Sequence, residues 1–424
     1  MIPTAPGGFG RGVALVALAA LLVIPRPALA AVLFVDDLGD GATGAGSPTD
    51  PYRDLETAIV RAADGDVIRL APGLYPARPA AFVDSLCGNC EEHRTPVPAT
   101  RGFVVAGKGL AIIGAGADRT VLETRAGYGM YFEDSPGSML SGVRITGGRR
   151  DTCGMATSAG IVARRSRLTV ERVEISGNTH RPQDVVVGIA GIVGREGAEL
   201  HVVGSTIRDN GWDGVALYRG AAATIVDNVI SDGRGAGIGI TWDAVAIVLR
   251  NEVSGYWKGI GTFGSSRAVV RNNIVRDNLG WGIIATGTSF LEASNNVVTR
   301  NGNCGFAVWS GDATGLAANN IITRNGWRDE WVCPRVGVWV QDPGAAFELS
   351  HNDVWGNAEG EYEGIPDPTG ARGNISADPA FADSSSFLLL PESPAVDAGH
   401  PATTDPDGGP ADLGVHGGPQ SLRP

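Results

Sequence analysis

The segments TIRDNGWDGVAL (residues 206–217), VISDGRGAGIGI (229–240), IVRDNLGWGIIA (274–285) and VVTRNGNCGFAV (297–308) are variants of one pattern. In each, a short apolar run leads into a polar turn and then into a glycine followed by alternating apolar residues. That glycine falls at 214, 237, 259, 282, 305 and 337, in steps of 23, 22, 23, 23 and 32 residues, and Gly129, Gly160 and Gly191 extend the series upstream. Asn228, Asn251, Asn273, Asn296, Asn320 and Asn352 keep the same period. A looser column runs through Asn178, Asn210, Asn278, Asn301, Asn325 and Asn357.

A repeat of this length is too short for a propeller blade and lacks the leucine columns of a leucine-rich horseshoe. It fits one coil of a right-handed parallel β-helix, an all-β solenoid in which three short strands per coil stack on the next coil. Asparagine suits the turns because it tolerates left-handed backbone angles and its amide serves neighbours above and below. Upstream, Leu55, Ile59 and Ala62 of LETAIVRAA (55–63) share one helical face, so a short N-terminal helix can cap the open apolar end. The expected organisation is a strand and helical cap over 31–65, the solenoid over 66–357 with a Cys/Pro-rich insertion near 77–100, and an irregular C-terminal covering segment over 358–424.

Composition narrows the class of partner. The apolar run GVALVALAALLVI after Arg11 ends in PRPALA, which reads as a signal peptide over 1–30, so the protein is expected to be secreted and not membrane-spanning. Without that segment, which holds Arg11 and Arg26 and no acid, 32 basic residues face 46 acidic ones, a formal charge of −14. Nucleic acid is therefore excluded as a partner, and a monomer is expected. Five cysteines in an oxidising compartment allow two bridges and leave one odd thiol. Cys87 and Cys90, with His93 nearby, read as a disulfide or as three ligands of a zinc site. A bridge from Cys304 to Cys333 in the next coil would pin an inserted loop.

FVDDLGDGATGAGSPTDPYRDLETAIVRAADGDVIRLAPGLYP (34–76) resembles the opening coil and cap of the pectin-lyase-like superfamily, and DPAFADSSSFLLLPESPAVDAGHPATTDPDGGPADLGVHGGP (378–419) resembles its closing segment. The resemblance covers the mature chain and implies the β-helix fold. It implies no single activity, because that superfamily includes lyases, hydrolases, epimerases, accessory proteins and adhesins. In its pectate-lyase-like members a Lys or Arg serves as base, often with Ca²⁺, which permits Lys258 in that role. The Asp-Pro-His-Asp motif of mannuronan C5-epimerases and the clustered aspartates of polygalacturonases are missing here.

Stacking the coils turns each position after the glycine into a column. Two positions after it stand Tyr131, Val162, Val193, Ala216, Gly239, Gly261, Ile284, Ala307 and Trp339. Four after it stand Glu133, Arg164, Arg195, Tyr218, Thr241, Phe263, Thr286, Trp309 and Gln341. Just before it the column includes Asp213, Lys258 and Trp281. Alternation predicts that the first two columns face solvent, giving a trough with a floor of small residues and aromatic and charged walls. At a strand spacing of ~4.8 Å the uninterrupted coils from Gly214 to Gly305 would give a floor of roughly 20–25 Å, a few sugar rings. Small residues on one sheet face are also ordinary solenoid packing. Three insertions, at 147–158, 179–188 and 326–335, enter at the same turn, and long loops on one edge of a solenoid mark a binding face.

Trp212, Trp257, Phe263, Trp281 and Trp309 suit stacking on sugar rings, or on a protein partner. Arg164, Arg195 and Arg219 suit bidentate pairing with carboxylate or sulfate, or with Glu196 and other local acids. An anionic, uronate-containing polysaccharide is thus the expected ligand. Elimination on a uronate needs a tuned base and a proton donor. Lys258, one of two lysines beside 32 arginines, is the candidate base; Tyr218 is the donor or an alternative base, and Asp213 orients either. Asp405, Asp407 and Asp412 have the spacing that opens a calcium loop, so structural calcium is expected there, or else an ordinary Asp/Gly/Pro turn. Two functions remain: a lyase-like enzyme acting on a polysaccharide, and a non-catalytic glycan-binding or adhesin-like surface protein.

Overall fold

The computed structural model describes residues 30–37, 44–88, 95–342 and 344–421. The signal-peptide reading, Cys90 and His93 lie outside them. Successive coils contribute one strand each to three sheets, two of twelve strands and one of eleven. Lys258–Thr262, Arg267–Arg271 and Ile274–Arg276 are one such coil, in the first, second and third sheets respectively. Among the described residues every pairing of named strands is parallel except the hairpin of Ala80–Asp84 with Val97–Ala106. The chain is therefore a parallel β-helix.

Alternation sets the core. Ile238, Ile260 and Ile283 of the first sheet, Val248 and Val270 of the second, and Val253 and Val275 of the third point inward and bury completely in one continuous cluster. Each coil is too thin to bury these groups alone, so neighbouring coils supply the rest of each core layer.

Between the second and third sheets the chain turns in two residues, the second being Val143, Val173 and Ser205 in the earlier coils and the ladder asparagine from Asn228 onward. The side-chain amide of Asn273 donates to the Val248 carbonyl at 2.9 Å and to the Asn296 Oδ1 at 3.0 Å, and the Asn273 backbone N–H donates to that same Oδ1 at 2.9 Å. The ladder repeats through Asn228, Asn251, Asn273, Asn296, Asn320 and Asn352 and ends at Asn374. One expectation is corrected here. The left-handed angle belongs to the preceding residue, at Asp227, Arg250, Asn272, Asn295, Asn319 and His351, with φ between 50° and 58°. Asparagine is required for its amide, which pairs backbone groups that the turn buries.

The looser ladder joins Asn178 to Asn210 and resumes at Asn278, Asn301, Asn325 and Asn357. It is interrupted at Gly233 and Tyr256. Tyr256 turns its ring into the core, and a Cβ at Gly233 would come within 2.2 Å of that ring.

At the N-terminal end the helix Leu55–Arg61 is capped by Asp54, whose carboxylate accepts the Thr57 N–H at 2.7 Å, and buries Leu55, Ala58 and Ile59. Lys108 donates to the Ile59 and Ala62 carbonyls at its far end, at 2.5 and 2.6 Å. At the other end Tyr362 and Ile365 pack on the last core layer. The following chain lies along the flank: Phe387, Leu413 and Val415 cover Ile274, Val297 and Ile321 on the outer face of the third sheet.

Replacing Asn296 with alanine removes two donated and two accepted bonds inside the ladder. We expect a loss of about 2–4 kcal/mol in urea unfolding.

Candidate functional site

The predicted columns align. Ala236 pairs with Lys258 and Lys258 with Trp281, while Ala216, Gly239, Gly261 and Ile284 follow one another on adjacent strands of the first sheet. The column two after the glycine does face away from the core, but it is not open to solvent along its length, which corrects the five-coil trough. The hairpin Ala80–Asp84/Val97–Ala106 and the inserted loop near Ala156 cover Tyr131, Val162, Val193 and Ala216, forming a second apolar cluster. The insertion carrying Val332, Cys333 and Val336 covers Ile284 and Ala307 in another. Exposing a stripe of outward apolar residues is costly, and the insertions remove that cost by folding over it. What remains between the covers is a short strip at Gly239 and Gly261, where both glycines are themselves buried and Lys258 is partly exposed.

The arginines are withdrawn from it. Arg164 is buried and pairs with Asp84 at 2.9 Å; Arg195, wholly buried, pairs with the other oxygen of Asp84, with Glu196 at 2.6 Å and with the Leu86 carbonyl at 2.6 Å. Asp84 also accepts from the Tyr128 hydroxyl at 2.8 Å. Guanidinium groups buried side by side need a shared counter-charge, and the hairpin delivers it. The expectation that Arg164 and Arg195 bind ligand is therefore corrected: they anchor the hairpin. Arg219 remains half-buried, its guanidinium 4.9 Å from the Trp242 ring centre, beside a separate open cavity lined also by Glu196 and Asp243.

Asp213, Tyr218 and Lys258 come together. The Asp213 carboxylate accepts the Ala236 N–H at 2.6 Å and the Tyr218 hydroxyl, and Lys258 is near enough for its charge to act on it. A Cβ on Gly235 would lie 1.9 Å from the Asp213 carboxylate, so that glycine makes room for it. Burial pushes the Asp213 carboxyl up to about 6, although the Ala236 N–H, Lys258 and Tyr218 all oppose this. Burial, reinforced by Asp213, holds the Tyr218 phenol well above its ordinary range. Burial also lowers the Lys258 ammonium from 10.5, with Asp213 opposing. The result is a reluctant ammonium, a protonated phenol and an easily protonated carboxyl in one place.

Aromatic groups surround Lys258. Its ammonium lies 4.7 Å from the Phe263 ring centre and 5.5 Å from that of Trp257. Trp257 stacks at 4.8 Å on Trp331 of the insertion, and the Cys304–Cys333 disulfide holds that insertion to the preceding coil. Trp281 is buried, Trp309 stands exposed 5.3 Å from it, and Trp212 borders a cavity beside Tyr218. Sequence reasoning missed Asp84 and Trp331. Both sit in insertions, where the repeat gives no register, so the coil each would meet was not written in the period.

The calcium expectation is not met by geometry. Asp405 accepts the Gly418 and Asp412 N–H groups, Asp407 accepts that of Gly409, and Asp412 accepts that of Asp397, so the three carboxylates staple turns of the covering segment. Among the described residues no group of three or more His, Cys, Asp or Glu side chains could hold a metal. Cys87 is disulfide-bonded, and among the described residues Cys153 is a free thiol. Among the described residues no helix is long and apolar enough to cross a membrane.

A family model described as the right handed beta helix region matches residues 102–245 and 159–325, which together span more than half of the chain. No protein with a curated description matches in sequence. Among solved structures, pectate lyase Pel9A aligns with a TM-score of 0.53 and 14% identity over 91% of this chain and 95% of its own. The mannuronan C-5 epimerase AlgE4 A-module of Azotobacter vinelandii aligns with a TM-score of 0.45 and 15% identity over 81% of this chain and all of its own. At such identity the likeness to pectate lyase is one of fold.

Two outcomes are expected. Asp84→Ala removes the carboxylate that two buried guanidiniums share, leaving them only Glu133 and Glu196, and should cost about 3–5 kcal/mol in chemical unfolding. Because the folded carboxyl of Asp213 holds its proton more tightly than the unfolded one, its contribution to stability is full below pH ~4 and is lost as pH rises through about 6. Asp213→Asn should therefore be more stable than wild type at pH 8, by roughly 1–3 kcal/mol, and lose that advantage near pH 4 in thermal melts.

Proposed function

The chain belongs to the family of right-handed parallel β-helix proteins, and on that footing we propose that it is an exported protein that binds a uronate-containing polysaccharide at the Lys258 strip and cleaves it by β-elimination. The observation that carries this reading is the convergence of Lys258, Tyr218 and Asp213 beside two outward glycines on an aromatic-walled sheet face. Pectate lyase Pel9A, whose fold this chain shares, acts in name on such a polymer, which adds to the reading.

In the proposed reaction the neutral Lys258 amine takes the proton on C5 of the uronate. The electrons of that C–H bond form the C4–C5 double bond as the C4–O bond breaks, and the departing oxygen takes a proton from Tyr218. Lys258 suits the base because burial lowers its pKa. Tyr218 suits the donor and not the base, because burial and Asp213 keep its proton on. Asp213 holds the Tyr218 hydroxyl in place. Arg164 and Arg195 are buried in ion pairs and take no part in meeting the uronate carboxylate.

A second reading, a glycan-binding protein without catalysis, is favoured by that same withdrawal of the two arginines: it leaves a strip richer in aromatic surface than in charge. Product formation at 235 nm on alginate, polygalacturonate and glycosaminoglycans separates the two. Lys258→Ala should lower the rate by about two to four orders of magnitude while leaving binding in place. In wild type the rate should rise with pH until Lys258 has lost its proton, at a pH below 10.5. Binding without unsaturated product on any of these polymers would establish the second reading.

A further inference from the structure

The first and third sheets have their outward apolar residues covered by other parts of the chain. The second sheet does not. On its outer face Val245 and Ile247 stand 42% and 45% exposed, and Ala222, Thr224, Val269 and Phe290 beside them are partly exposed. They lie in an open groove of about 710 Å³ that runs from the coil of Arg167 to that of Phe290. A contiguous apolar face of this kind on an otherwise charged surface marks a place where something packs.

The order of residues along the groove says what fits it. The strand register puts Glu199, Ala222, Val245 and Arg267 in one column and His201, Thr224, Ile247 and Val269 in the next. Counted from the midpoint between the Ala222 and Val245 coils, small residues on one side match large ones on the other: Ala222 against Val245, and Thr224 against Ile247. One coil further out, Glu199 matches Arg267, and beyond them Arg167 matches Phe290. A two-fold axis through that midpoint, lying in the face and parallel to the strands, exchanges the two sides. It seats the exposed Val245 and Ile247 of each copy over the partner's Ala222 and Thr224, and it brings each Glu199 to the partner's Arg267, so the ion pair forms twice. The same axis leaves the strands of both copies running in one direction, as in the aligned packing of two sheets.

Both charged groups are available for this. Arg267 is exposed with its guanidinium 5.9 Å from the Phe290 ring centre, and among the described residues it has no carboxylate partner. Glu199 pairs with Arg167 at 2.7 Å, yet 57% of its side chain is exposed, which leaves room for a second guanidinium. Six strands at ~4.8 Å and five residues at ~3.3 Å give a flat footprint of roughly 400 Å², about half of one side of a standard interface, so the association is weak and reversible.

We infer that the open face of the second sheet is a self-association surface, on which a second copy of this chain packs about a two-fold axis parallel to the strands, in place of the monomer expected from the sequence. The inference uses no residue of the Lys258 strip and stands apart from the polysaccharide reading.

The test is sedimentation velocity on the full chain from about 1 to about 200 μM, the range in which a weak dimer dissociates. Expected is a reversible monomer–dimer equilibrium within it. Ile247→Asp should weaken the dimer by at least about tenfold. Glu199→Arg alone and Arg267→Glu alone should each do the same, because either one sets like charges against each other twice. Mixing these two charge variants restores both opposite pairs, so the mixture should dimerise although neither variant does so by itself. All three changes are at exposed side chains, and the variants should melt as wild type does at the dilute end of the range. A wild type that stays monomeric throughout, a dimer unmoved by Ile247→Asp, or charge variants whose mixture stays monomeric would overturn the inference. A monomeric wild type whose polysaccharide binding is weakened by Ile247→Asp would overturn it as well, and would assign the face to the polymer.

Discussion

Everything in this molecule is referred to the hydrogen bonds between one coil and the next. A parallel strand pairs evenly along its length, and a shift by one residue would turn every core side chain outward. The asparagine ladder blocks such a shift. Each amide bonds the coil above and the coil below at the tight turn between the second and third sheets, so Asn228 through Asn374 fix the register at one corner of the coils from Asn228 onward. With that corner fixed, Asp213, Ala236, Lys258 and Trp281 are neighbours on adjacent coils although residues 213 and 281 are far apart in sequence.

The interruption of the second ladder fits the same logic. At Gly233 and Tyr256 the solenoid gives up two amide rungs and fills the space with a buried ring. These are the coils that carry Gly235, Gly239, Lys258 and Gly261. A repeat protein that departs from its own rule at one place commonly does so where a site has displaced the local optimum. The departure is tolerated because the first ladder still holds the register of both coils.

The outward faces obey a second constraint. Strands that point apolar residues away from the core need a cover, and two of the three sheets receive one from the chain itself. The third sheet is covered by Phe387, Leu413 and Val415, and the first by the hairpin and loops on either side of the strip. Charge burial follows from this cover: folding the hairpin down desolvates Arg164 and Arg195, which is affordable only with Asp84 between them. What began as a cationic stripe becomes a structural knot, and the candidate site is confined to the two glycine coils between the covers.

The sequence by itself determined the coil. Its period, the glycine columns, the ladder asparagines and the neighbourhood of Asp213, Tyr218 and Lys258 were legible, because a solenoid converts a linear repeat into contacts between residues one coil apart. It also made the helix Leu55–Arg61 and the Cys304–Cys333 bridge foreseeable from local pattern and from adjacency of coils. Only the tertiary structure decided which outward residues meet solvent. The insertions at 77–100, 147–158 and 326–335 have no period, so nothing in their order says that Asp84 lands between two arginines or that Trp331 lands on Trp257. Those contacts are long-range, set by the shape and apolar surface of the stacked coils, and they turned a five-coil trough into a short strip around Lys258.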